Sequence, residues 1–422
     1  MKIKTLEKSF EFVDSLPEYT QPKPKKPNIL FRTLVRIASM PDLIATRFSY
    51  SKFGMDRLKK GEPCLYLMNH SSFLDLKIAS KILYPKPYNI VSTLDAFVGK
   101  RWLMHNIGCT PTTKFVTDVN LVRNMIHILR KQKCSVLMYP EAGYSFDGTS
   151  TVLPDSLGQC LKLLKVPVVM IRTKGAFARD PLYNGLRLRK VKVSAEVRYL
   201  FSPDEIASAS VDELNSAIRE QFAFDEFRWQ QKNMIRIKEK FRAEGLSRVL
   251  YKCPNCLAEG EMTSSGSEIS CSSCGKSYTL DEYGSLRSSD GDVRFPHIPD
   301  WFSWQRECVR SELEAGNYGF DLDADIYMLV DSKALYHVGV GRLVHDPDGF
   351  HLTGFGGKLD YSHPVSSSYS LNADFFWYEI GDMISIGSQK KQFCCFPKGK
   401  SGTVTKMRLA SEELYKLSAK AR

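Results

Sequence analysis

Two groups of residues in this sequence have types and spacings that chemistry can use. The first lies in the run Tyr66-Leu67-Met68-Asn69-His70-Ser71-Ser72-Phe73-Leu74-Asp75. An apolar stretch stops at Asn69 and His70, and a carboxylate follows five residues after the imidazole. A histidine near its ordinary pKa of about 6.5 is a neutral base at pH 7. To take a proton from an alcohol it needs a partner that fixes its tautomer and steadies the imidazolium, and a carboxylate does both. Five residues of one regular helix turn through about 500°, which puts the two side chains on different faces. They meet if His70 lies in a loop after a strand and Asp75 in the first turn of the next helix. A structural reading stands beside this one: Ser72-x-x-Asp75 is capping-box-like, so Asp75 would only support a helix start.

The second group is Cys253-x2-Cys256, fourteen residues, then Cys271-x2-Cys274. Each pair, with its Pro or Gly, predicts a tight knuckle whose amides can meet thiolates. Four thiolates suit tetrahedral zinc in a closed structural site with no open position for catalysis. Two redox dithiols are the alternative. Small ribbons of this kind need the metal to fold. A ribbon can also bind nucleic acid, but residues 253 to 284 are not notably basic and hold few aromatics, Tyr278 and Tyr283 among them. That argues for a structural or docking module and against nucleic acid as partner.

Two further blocks follow Asn69-His70-x4-Asp75. They are Tyr139-Pro140-Glu141-Ala142-Gly143-Tyr144-Ser145 and Val166-Pro167-Val168-Val169. In this order and spacing the three resemble the lysophospholipid and glycerolphosphate acyltransferases, the family that includes 1-acylglycerol-3-phosphate acyltransferases. The resemblance covers roughly residues 30 to 230. It implies a membrane-associated O-acyltransferase of phospholipid biosynthesis, with His70 as general base and Asp75 orienting it. The acceptor hydroxyl, on a lysophosphatidate-like lysophospholipid, would attack the thioester of acyl-CoA or an acyl-carrier protein directly. Asn69, Glu141, Gly143 and Pro167 would line the substrate. The family's middle block ends in an arginine that meets the acceptor's phosphate; here Gly108 to Lys114 puts Lys114 in that place. Tyr144 stands where the next block has arginine. With both arginines replaced, the acceptor head group stays open. The alternative is a non-catalytic, membrane-bound adaptor on a degenerate acyltransferase fold.

The elements that must position these residues read as α/β. Apolar runs at 64–68, 135–139, 167–171 and 191–200 alternate with helix-like segments at 76–84, 118–132 and 155–165. Residues 203–248 read as one or two more helices, the second from about 224. The sequence divides into a basic lead-in at 1–27 and an acyltransferase domain at 28–248, a mixed sheet flanked by helices. A zinc ribbon at 249–284 and a linker with a helix at 285–320 follow. Residues 321–422 read as an all-β, PH-like barrel closed by a C-terminal helix. Leu30, Phe31, Leu34, Val35 and Ala38 fall at helical spacing, interleaved with Arg32 and Arg36, until Pro41 breaks or kinks the run. A basic amphipathic helix of this kind fits a membrane interface; a surface helix packed on the core is the other reading.

The net charge of +12 favours a polyanionic partner. Residues 21 to 60 hold ten Lys/Arg against Asp42 and Asp56, so the excess gathers on the amphipathic segment and points to an anionic membrane surface. No apolar run approaches the roughly 18 residues that span a bilayer. The expected placement is therefore peripheral (monotopic), on the cytoplasmic face. The opening residues lack an apolar core of signal-peptide length, and eleven cysteines read as thiols of a reducing compartment.

Overall fold

In the computed structural model, residues 2–17, 19–116 and 118–420 are described. The chain opens with a strand, β1 (Thr5–Glu7), and a short helix, α1 (Phe10–Asp14). The expected lead-in is thus structured at its start. β1 pairs in parallel with residues 335–337 of a much later strand, and Phe10 stacks on Phe355 at 5.0 Å. The reason is a free strand edge: residues 335–337 lie outside the stretch 341–346 that the neighbouring strand pairs on that edge, and β1 satisfies their backbone groups.

The N-terminal half runs α2 (Ile29–Ala45), β2 (Ser49–Phe53), β3 (Leu65–Met68), α3 (Asp75–Leu83), β4 (Tyr88–Thr93), α4 (Arg101–Asn106), β5 (Cys109–Thr112), α5 (Val119–Ile126), β6 (Ser135–Met138), α6 (Leu157–Leu164), β7 (Val168–Lys174), α7 (Ala176–Arg179), β8 (Ser194–Phe201), α8 (Pro203–Ser208), α9 (Val211–Phe222) and α10 (Glu226–Lys232). The sheet has the order β2-β8-β7-β3-β6-β4-β5, antiparallel only between β7 and β8. β3 is buried on both faces, as a central strand of a mostly parallel sheet must be. Leu65 and Leu67 pack toward α5, α6 and α9; Tyr66 and Met68 pack toward α3. α2 continues past Pro41, which removes one intrahelical hydrogen bond without ending the helix. The basic helix expected from 224 stops after seven residues, where Met234 adopts a left-handed backbone; residues 233–245 hold no helix.

The ribbon strands β9 (Met262–Ser265), β10 (Glu268–Cys271), β11 (Ser277–Leu280) and β12 (Leu286–Arg287) form one antiparallel sheet, so the unit reaches past 284 to Arg287. α11 (Ile298–Glu314) follows, then β13 (Phe320–Leu329), β14 (Leu335–Asp346), β15 (Gly349–Gly354), β16 (Leu359–Pro364), β17 (Asn372–Trp377), β18 (Gly381–Gly387), β19 (Gln392–Pro397) and α12 (Thr403–Lys420). The order β16-β15-β14-β13-β19-β18-β17 is a four-strand meander joined to a three-strand meander, with β19 returning beside β13. A single helix after the strands completes the PH-like arrangement. Trp301 and Val309 of α11, Met407 and Leu409 of α12, ribbon residues Cys253 and Tyr278, and barrel residues Ile326 and Ile384 share one core. The ribbon is therefore continuous with the barrel.

Candidate active site

β3 delivers the chain to the C-terminal edge of the sheet, where Asn69 ends the strand. The Asn69 side chain accepts from the Thr173 N–H at 2.8 Å and donates to Ser71 Oγ at 2.9 Å. Its amide pins β3 to β7 and shapes the loop. His70 follows in that loop, and Asp75 is the first residue of α3. His70 Nδ1 lies 3.0 Å from Asp75 Oδ2. The same oxygen accepts from the N–H groups of Ser71 at 2.9 Å and Ser72 at 3.2 Å. Asp75 thus serves the helix start and the imidazole together. Ser72 Oγ accepts from Leu74 N–H rather than completing a capping box. A carboxylate only accepts, so Nδ1 carries the proton and Nε2 keeps its lone pair. Burial pushes the His70 pKa below its ordinary 6.5, and the hydrogen bond to Asp75 only partly restores it. The imidazole is neutral at pH 7, as a base must be.

The ring of His70 packs against Tyr144, with centroids 4.1 Å apart, and against Tyr139 at 4.5 Å. Phe73 continues the aromatic wall, 5.3 Å from Tyr144. Glu141 is buried and faces the backbone. Its Oε2 accepts from His70 N–H at 2.7 Å and its Oε1 from Thr151 N–H at 2.8 Å. Burial pushes its pKa up to about 7 against these two donors. Glu141 holds the histidine loop to the 141–151 loop. Gly143 lies in the same loop, close to Phe115 and Arg408. Lys114 follows β5, near enough that its charge acts on both His70 and Asp374.

Pro167 is not brought to the site. Its carbonyl accepts from Leu65 N–H at 2.9 Å, and Val168 pairs with Leu65, at the opposite end of β3 from His70. Five residues of strand put it roughly 16 Å away. The Val-Pro block starts β7, so its place is in the sheet and its role there is structural.

The C-terminal half reaches into the site. Arg408 of α12 donates to the Tyr144 carbonyl at 3.0 Å and lies over the Phe146 ring at 4.5 Å. It is held by Glu412, which also takes Arg306 of α11 at 2.7 Å and Ser370 Oγ at 2.7 Å. Burial pushes Glu412 up, but Arg306 and Arg408 outweigh it and hold the carboxyl at about 2. From β17 come Phe375, stacked on Phe146 at 4.4 Å, and Asp374, which burial pushes up to about 7. Tyr378 donates to Asp95 Oδ2 at 2.8 Å. The strand-like pattern at 372–377 carries no hint of this, because the contacts close over 200 residues or more of intervening chain.

The four cysteines converge as the spacing predicts, with all Sγ atoms within 4.8 Å of one another. Cys253 and Cys274 Sγ are 3.8 Å apart, Cys256 and Cys271 Sγ 3.7 Å. A tetrahedron with metal–sulfur bonds of about 2.3 Å has sulfur–sulfur edges of about 3.8 Å, so the donor set fits zinc. Among the described residues no other cluster of this kind occurs, and no helix is long and apolar enough to cross a membrane.

Comparison with known proteins finds a family and a solved structure similar to part of this chain. Residues 51–174, from β2 to the end of β7, match the family described as Acyltransferase. Among solved structures, the chain is similar to the 1-acyl-sn-glycerophosphate (LPA) acyltransferase PlsC from Thermotoga maritima. That similarity has a TM-score of 0.37 at 16% identity, over 45% of this chain and 76% of that one. No curated protein matches. The segment that matches the Acyltransferase family holds His70, Asp75, Lys114 and Glu141, and it is followed in this chain by a four-cysteine ribbon and a C-terminal β-sheet.

Proposed function

We propose that the protein transfers a fatty acyl group from a thioester, acyl-CoA or acyl-carrier protein, to a hydroxyl of a lysophospholipid-type acceptor. The observation that carries this reading is the His70–Asp75 pair, hydrogen-bonded at 3.0 Å at the strand end of an acyltransferase domain. The acceptor hydroxyl gives its proton to His70 Nε2 while its oxygen attacks the thioester carbonyl carbon. The tetrahedral intermediate collapses with cleavage of the C–S bond. The imidazolium returns the proton to the departing thiolate, leaving ester and thiol. Because the thioester is already activated, positioning and base catalysis suffice. An adaptor on a degenerate fold would have no use for a neutral imidazole oriented by a carboxylate. The test is incubation of the purified chain with a radiolabelled acyl donor and a total lipid extract. Label in an ester product is the expected result; no labelled ester with either donor overturns the reading.

We infer that the reaction takes place at a membrane surface. α2 leaves Ile37 and Ile44 61% and 67% exposed, beside exposed Leu30 and Leu34. Trp102 of α4 meets Phe31 of α2 edge-on at 5.4 Å, and the exposed Leu76 directly follows Asp75. This apolar face, set among the basic residues of 21–60, supports peripheral attachment to anionic lipid next to the dyad. Exchanging Leu34 and Ile37 for aspartate removes two apolar anchors of about 1.5–3 kcal/mol each. Co-sedimentation with anionic vesicles is expected to weaken at least about tenfold; unchanged binding would show that another surface meets the membrane. In the ribbon, the four thiolates are proposed to hold one structural zinc.

A further inference from the structure

A second group of cations lies outside the N-terminal segment. Residues 186–192 hold four Lys/Arg and no acid, and residues 228–242 hold six against one acid, Glu239. The two stretches fold as one platform. Val191 and Ile237 share a small apolar cluster with Ala178. Lys190 N–H donates to Glu239 Oε1 at 2.7 Å, and the buried Arg189 donates to the Arg242 carbonyl at 2.8 Å. Toward solvent the platform is cationic. Arg187 is paired with Glu244 at 2.6 Å, and Arg236 with Glu282. Lys190, Lys192, Lys232, Lys238 and Lys240 are exposed, and among the described residues none of the five has an ion-pair partner. Like charges gathered without partners repel one another, and an anionic surface relieves that repulsion.

Two large apolar side chains stand among these lysines. Leu188 is 60% exposed and Met234 67%. The Met234 backbone is held at a φ of +51°, a region bulky residues rarely adopt, while its side chain stays mostly in solvent. Singly, an exposed apolar residue is ordinary. Apolar tips ringed by lysines suit a lipid interface, where the tips enter the acyl boundary and the ammonium groups meet lipid phosphates. A nucleic acid would use the lysines and leave the tips idle.

The platform continues from α2. Lys192 precedes Val193, whose N–H donates at 3.1 Å to the carbonyl of Thr46, two residues after the exposed Ile44. Arg179 of α7, the turn that carries Ala178, is paired with Asp42 of α2 at 2.7 Å. Ser194 pairs with Lys174 at the end of β7, next to Thr173, which holds Asn69 beside His70. We propose that segments 186–192 and 232–240 form a second contact with anionic lipid, continuous with α2. This deepens the membrane-surface reading and rests on it. A single helix lets a domain roll about the helix axis. A second contact stops that roll and keeps the sheet edge that carries His70 at one angle to the lipid.

The test uses the full chain and co-sedimentation with vesicles of phosphatidylcholine, alone or with roughly a third phosphatidylglycerol. Lys190→Gln, Lys192→Gln, Lys238→Gln and Lys240→Gln together are expected to weaken partition onto the anionic vesicles at least about 30-fold and to leave binding to the neutral ones unchanged. Leu188→Ser with Met234→Ser is expected to weaken it about tenfold. Only exposed side chains are changed, so thermal midpoints should match the parent. Hydrogen exchange of the parent needs no variant: amides of 186–192 and 232–240 should slow when anionic vesicles are added. Parent-level binding by the lysine variant, or unchanged exchange in both segments, overturns the second contact and leaves the α2 contact and acyl transfer standing. Tighter binding of an oligonucleotide than of anionic vesicles, unaffected by Leu188→Ser with Met234→Ser, overturns it in favour of a nucleic-acid partner. No binding of the parent chain to anionic vesicles overturns the membrane-surface reading and this one with it.

Discussion

Replacing His70 with alanine is expected to lower acyl transfer by about 10²- to 10⁴-fold, the usual contribution of a positioned general base. The fold should survive. His70 sits in a loop, and its loss still leaves Asp75 Oδ2 with the Ser71 and Ser72 amides. Thermal unfolding and metal content of the variant should match the parent. The pH dependence gives a second reading of the same group. Burial lowers the His70 pKa below 6.5, so at pH 7 the base is already free. As pH falls through that lowered value the imidazole takes up a proton and activity is lost. The acid limb of kcat/KM should therefore lie below 6.5, and it should be missing from whatever residual rate His70→Ala retains. Near-parental transfer by the variant would remove His70 from the mechanism.

Removing the zinc proposed for the ribbon should have the larger effect on stability. Structural zinc in small four-ligand units contributes on the order of 10 kcal/mol of apparent folding free energy. Here the damage should not stay local. Cys253 and Cys271 lie in the same core as Tyr278, Trp301, Met407 and Ile384. Trp301 Nε1 donates to the Lys252 carbonyl at 2.9 Å, directly beside the first knuckle. Beyond it, α11 carries Arg306 to Glu412, and Glu412 holds Arg408 against the Tyr144 carbonyl. Chelation, or Cys253→Ser with Cys271→Ser, is expected to lower the thermal midpoint and reduce transfer together. Elemental analysis should give one zinc per chain. A metal-free chain that melts and turns over like the parent would show that the thiols need no metal.

The parts of the site legible in the sequence are those whose geometry is local. Asn69 to Asp75 is a strand end, a loop and a first helical turn, so its spacing allows His70 and Asp75 to meet, with a capping role for Asp75 as the alternative. The cysteine pairs are legible for the same reason, since each knuckle is built within four residues. Tyr144 was visible only as a departure from a motif; its contact with the His70 ring needs the loop's path, which the buried Glu141 sets. Pro167 misled because motif order does not say which end of a strand a block occupies. Asp374, Tyr378 and Arg408 had no signal at all. They reach the site through packing between distant halves, and an aspartate in a β-strand looks the same whether it faces solvent or a catalytic cleft. The first strand was equally silent: three residues, Thr5–Glu7, carry no alternation to read.

That strand has a consequence for how the chain is made. Thr5 finds its partner at Leu335, 330 positions later. At a ribosomal pace of 5–20 residues per second, the wait is on the order of half a minute. Throughout it Thr5–Glu7 must wait for this partner while the seven-stranded sheet, and then the ribbon, emerge and fold behind them. The C-terminal sheet, made hundreds of residues later, is what finally captures Thr5–Glu7.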